Sequence, residues 1–136
     1  MRVAIRSGAL GDVLLGVPAW CAIRDASPPP SGPFVISVPG AVAELVRAAV
    51  GDDPNRPVTV IGPDDAAIAW VHGDGPPQTS AMIPDWAAVD AAVVWTRRHG
   101  DVGLRLRRAG VDNVVAADPF PPAESGLHVA DWLSAT

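Results

Sequence analysis

A parallel, doubly wound α/β sheet is predicted by three features of this 136-residue sequence. Apolar runs of strand length recur, and segments with helical spacing separate them, so that strand and helix alternate five times. Turns rich in glycine and proline punctuate the alternation. The first apolar run, Val3-Ala4-Ile5, leads directly into Arg6-Ser7-Gly8-Ala9-Leu10-Gly11-Asp12 and then into an apolar-rich segment reaching Ile23. That order is a strand, a glycine turn and a helix. One Rossmann-like domain over residues 1–136 is the expectation, with no internal repeat and no interdomain linker.

Residues 2–5 read as the first, buried strand. Residues 12–26 read as one helix, because Leu14, Leu15, Val17, Trp20, Cys21 and Ile23 make a broad apolar face. Pro18 removes a backbone donor and crowds the preceding turn, so a bend is expected inside that helix. Ser27-Pro28-Pro29-Pro30-Ser31-Gly32 stops it. Residues 34–38 read as the second strand, 41–50 as the second helix and 57–61 as the third strand, after a turn-rich stretch at 51–56. A short helix is expected at 64–71, followed by the loop 72–77, and Pro84-Asp85-Trp86 reads as the start of another. Residues 91–95 are the fourth strand, 100–109 a helix and 111–116 the fifth strand. Arg105, Arg107 and Arg108 suit the negative end of their helix. A turn at 118–126 precedes a closing helix at 127–134.

In an open α/β sheet, ligands bind outside the carboxyl ends of the strands. Gly8 and Gly11 let the backbone turn sharply and approach a ligand closely, while the helix that follows aims free amide groups at the turn. Gly8, Ala9, Leu10 and Gly11 are therefore expected to hold a ligand, with Asp12 at the mouth. The strand at 91–95 lies beside the first in the usual doubly wound order, which brings Thr96, Arg97 and Arg98 to the same crevice. Arginines there suit phosphate or carboxylate, and a solvated pair is the other reading. Asp12 has two open roles, an N-cap or first-turn acid and a general base. Trp70, Trp86, Trp95 and Trp132 read as core or interface residues, with Trp86, in a loop, a candidate for stacking.

Composition excludes several classes. A formal net charge of −5 argues against nonspecific binding to nucleic acid or an anionic membrane. No apolar run reaches the roughly 20 residues of a membrane span, and the start lacks the regions of a signal peptide, so a cytoplasmic location is expected. The single cysteine, Cys21, reads as a small core residue. The sequence contains no lysine, which removes an unmodified P-loop, a Schiff-base enzyme and a lysine-dependent receiver site. Gly8-Ala9-Leu10-Gly11 lacks the middle glycine of the dinucleotide fingerprint, and Val38-Pro39-Gly40 offers no acid for a ribose, so NAD is not expected. His72, His99 and His128 have no zinc-site spacing and read as structural. Asp52-Asp53 and Asp64-Asp65 read as solvated carboxylates, and no Asp-x-Asp clamp for a metal diphosphate is present.

The order of several motifs carries a family resemblance. Arg6, four intervening residues, Gly11-Asp12-Val13-Leu14, then Pro18 and Ile23-Arg24, resemble the amino-terminal signature of the family 9 glycosyltransferases, which include the heptosyltransferases of lipopolysaccharide core assembly. Asp90-Ala91-Ala92-Val93-Val94-Trp95 resembles the family's fourth core strand. His128-Val129-Ala130-Asp131 followed by Leu133 resembles the helix that closes its first domain.

The resemblance implies the amino-terminal, acceptor-side domain of a GT-B glycosyltransferase. It implies Asp12 as general base of an inverting, metal-independent transfer, Arg6 as a site-facing charge, and a hydroxylated glycan or glycolipid acceptor. No cofactor is implied; the nucleotide-sugar donor is held mainly by a second domain without a counterpart in this sequence. The expectation is a chain that folds alone without transferring sugar. Its open cleft, around residues 8–12 and the loops after Val38, Ile61 and Trp95, is expected to dock a second chain or a symmetry mate. The alternative is a noncatalytic α/β interaction module that kept the fold.

Overall fold

A computed structural model describes residues 1–26, 32–51 and 53–136. Five strands, β1 (Arg2–Arg6), β2 (Phe34–Ser37), β3 (Val58–Ile61), β4 (Ala91–Trp95) and β5 (Asn113–Ala117), form one sheet in the order β3-β2-β1-β4-β5. Every pairing is parallel. β2 is buried along its whole length and β1 from Val3 onward, which is why these strands read as continuous apolar runs rather than alternating ones.

Helices cover both faces. Against one face lie α1 (Leu10–Leu14), α2 (Val17–Asp25), α3 (Ala43–Val50) and α6 (Val129–Ala135), whose core includes Trp20, Val46, Trp95 and Leu133. Against the other lie α4 (Ala66–His72) and α5 (His99–Arg108), with Ile68, Trp70, Val102 and Leu106. Side chains alternate across the strands to fill the two layers: Val3 and Ile5 enter the second core, Ala4 the first.

The expected helix at 12–26 is two helices, and it starts earlier, at Leu10. The break falls at Leu15 and Gly16, ahead of the proline. Pro18 is the second residue of α2, where its missing N–H would have had no intrahelical partner, so it starts a helix instead of bending one. The proline-rich stop at 27–31 lies outside the described residues, as does Asp52. The short helix expected to begin at Pro84-Asp85-Trp86 is only a single 3-10 turn, Trp86–Ala88, capped by the Asp85 carboxylate, which accepts from Ala87 N at 2.9 Å. Asp65 caps α4 in the same way, accepting from Ala67 N at 3.0 Å. His128 caps α6 through Nδ1, which accepts from Ala130 N at 3.2 Å. No described helix is long and apolar enough to cross a membrane.

Candidate functional site

The chain leaves β1 toward β2 and β3 on one side, then returns to β4 and β5 on the other, so the connection reverses between β1 and β4. Their carboxyl ends lie side by side, Arg6 in register with Trp95. A crevice outside that reversal is where α/β sheets bind ligands. Here it is a cleft of about 280 Å³. Arg6, Ser7, Gly8 and Asp12 line it from the first strand and turn, Trp95, Thr96 and Arg97 from the fourth, and Pro119 and Phe120 from the loop after β5.

Arg6 is 1 % exposed although it is a cation. Its Nε donates to the Asp12 carbonyl at 2.7 Å, tying the end of β1 to α1 across the turn. Its two terminal nitrogens have no partner among the described residues. Burial pushes the guanidinium pKa down from its ordinary value and the neighbouring Asp12 carboxylate opposes that shift, but arginine keeps its proton in proteins. The cleft therefore has a positively charged wall.

Asp12 lies in the first turn of α1 and is half-buried. The residue at the N-cap is Ala9, and no side chain caps the helix. The carboxylate folds back over Gly8, where a Cβ would stand 2.9 Å from Asp12 Cβ and 3.1 Å from Oδ2. Gly8 has a φ of +148°, which side chains rarely adopt, so both space and backbone require glycine there. Gly11 differs from its expected role. It is an ordinary residue of α1, and a Cβ on it would meet nothing within 4 Å. Ala9, Leu10 and Gly11 are exposed and do not line the cleft. α1 has only five residues, so its dipole adds little at the turn.

The two arginines after β4 part company. Arg97 is exposed and lies over the Phe120 ring, 6.0 Å from its centroid. Arg98 turns away from the cleft: Nη1 donates to the His72 carbonyl at 3.3 Å and Nε lies 3.9 Å from Asp101. Thr96 is half-buried in the cleft; its Oγ1 accepts from Arg98 N at 3.3 Å, leaving its hydroxyl proton free to be donated. Trp86, the stacking candidate, is a core residue instead. It is 2 % exposed, sits against Trp70 at 5.4 Å and donates from Nε1 to Gln78 O at 2.8 Å.

Sequence reasoning missed the loop after β5. Asp118-Pro119-Phe120-Pro121-Pro122 reads only as a turn, yet it walls the cleft and a second, adjoining one of about 600 Å³. Arg97 and Phe120 line both. His99 and Trp132 complete the outer lobe, and Trp132 Nε1 donates to Asp118 O at 2.9 Å. The available signal was position: an aromatic among prolines directly follows a parallel strand's carboxyl end. Among the described residues no cluster of three or more His, Cys, Asp or Glu side chains could hold a metal ion. The chain matches no family model, no curated protein and no solved structure.

Proposed function

We propose that the cleft between β1 and β4 is the acceptor site of an inverting glycosyltransferase and that Asp12 is its general base. The supporting observation is Asp12 itself: its carboxylate accepts no hydrogen bond from a described residue and opens onto a cleft that also holds Arg6, Thr96 and Arg97. In the proposed step the acceptor hydroxyl gives its proton to the Asp12 carboxylate as its oxygen bonds to the anomeric carbon. The bond from that carbon to the donor's diphosphate breaks, and the nucleoside diphosphate leaves with the electron pair. The Gly8 turn holds the base, Arg6 fixes the turn, and Arg97 with Thr96 orients the acceptor. As the family 9 resemblance implies, a second domain or chain brings the nucleotide-sugar.

The test compares wild type with Asp12→Asn in any assembly of this chain that forms product from a nucleotide-sugar and a hydroxylated glycan. Turnover is expected to fall roughly a hundredfold or more, the scale of a lost acid-base group, with thermal unfolding unchanged. Turnover within a fewfold of wild type would make Asp12 a first-turn acid only. Steady product from the isolated chain, supplied with both nucleotide-sugar and acceptor, would put the donor site here and overturn the division of labour.

A further inference from the structure

We infer that the two lobes bind one ligand, an oxyanion attached to a flat apolar body, with the oxyanion in the inner lobe and the body over Phe120 in the outer one. The inference rests on the acceptor reading in one respect only: as the acceptor, this ligand would also carry the hydroxyl that faces Asp12. Adjacency comes first: the exposed side chains of Arg97 and Phe120 line both lobes, so the two lobes meet at these residues. The volumes, about 280 Å³ and 600 Å³, together suit a small organic molecule rather than a bare ion.

Charge then orients the ligand. The inner lobe has the Arg6 and Arg97 guanidiniums against one carboxylate, Asp12, a positive balance within a chain of net charge −5. Thr96 adds a hydroxyl donor. The outer lobe sets Arg97 against Asp118, whose Oδ1 already accepts from Phe120 N at 3.0 Å. Apart from the His99 imidazole, its remaining surface is largely apolar, from Phe120, Pro121, Pro122, Trp132, Ala116 and Ala117. An anion gains little there, whereas a ring can cover Phe120 on the face that Arg97 now shields at 6.0 Å. Rings and guanidiniums stack on the same surface, so Arg97 is free to turn toward the oxyanion when a ring replaces it.

The experiment is calorimetry on the full chain with inorganic phosphate, phenyl phosphate and benzoate. One aryl oxyanion is expected to bind about tenfold tighter than inorganic phosphate, the order expected for burying one ring, and the stronger of the two aryl ligands tells phosphate from carboxylate. Phe120→Ala should abolish that advantage without weakening inorganic phosphate, while Arg97→Ala weakens all three. Phe120 is an exposed loop residue, and thermal unfolding of each variant confirms that the fold is kept. Equal affinity for phosphate and both aryl ligands, or an advantage that survives Phe120→Ala, overturns the inference. Product formation is read separately: the expected binding pattern without transfer in any assembly supports this ligand class and removes the glycosyltransferase reading. Transfer without the binding pattern does the reverse.

Discussion

Replacing Gly8 with alanine tests the turn that places Asp12. Two effects add. At a φ of +148° a side chain is strained by about 1–3 kcal/mol. The new Cβ also stands 2.9 Å from Asp12 Cβ and 3.1 Å from Oδ2, so the carboxylate must leave its present position. Gly11→Ala is the matched control three residues on. Its backbone is helical and a Cβ there meets nothing within 4 Å, so the change should stabilise by about 0.5–1 kcal/mol. The two variants are thus expected to differ by about 1.5–4 kcal/mol in opposite directions from wild type. Urea unfolding, with a slope of roughly 1–3 kcal/mol per molar, separates their midpoints by about 0.5 M or more. A Gly8→Ala midpoint at or above wild type would refute the strain argument. Equal shifts for the two glycines would refute the division of roles between them.

Other substitutions probe the remaining assignments. Trp86→Ala should lose about 3–5 kcal/mol of stability with no selective loss of ligand affinity once folding is restored by osmolyte; a stable variant with weakened aryl binding would return Trp86 to the site. Arg97→Ala should weaken oxyanion binding severalfold and Arg98→Ala should not, a contrast that equal titrations for the two variants would remove. His72 is half-buried, and burial with the nearby Arg98 charge holds its pKa below the ordinary 6.5. Well above pH 6.5 it is neutral in both states and adds nothing. As pH falls through 6.5 the unfolded chain takes the proton first, so stability should decline until the folded-state value is passed. His72→Gln should flatten that acid limb of the urea midpoint, and Arg98→Ala should raise the imidazole's pKa in an NMR titration.

The strands are legible because buried parallel strands need continuous apolar runs: Ala91–Trp95 reads with its observed ends, and the other four within two residues at either end. The sheet order follows from the usual doubly wound pattern, and it brings Arg6 and Trp95 together as expected. The helix break is not legible. Leu14, Leu15 and Val17 sustain the apolar pattern straight through it, and the pattern does not show that Gly16 falls where a Cβ would stand 3.0 Å from the Trp20 ring, 3.2 Å from the Val13 carbonyl and 3.3 Å from Arg6 Cδ. The fates of Arg97 and Arg98 are equally hidden. They are adjacent and identical, and what separates them is Phe120 on one side and the His72 carbonyl on the other. Both partners are more than 20 residues away, a distance that local pattern does not span. Trp86 misleads because loops are ordinarily exposed, while this one packs its ring on Trp70.

Arg6 joins two duties in one side chain, since the group that charges the cleft is also the strap that holds the turn through Asp12 O. Its packing beneath Gly16 leaves it little room to change in size. A lineage adapting this cleft to a neutral ligand could not simply delete the charge, because the turn would loosen with it. Adaptation is therefore channelled to Arg97 and Phe120, which are exposed and tie down no neighbouring backbone of the turn. The interior arginine should persist as a fixed inheritance while the outer pair drifts, so that ligand choice evolves from the rim inward.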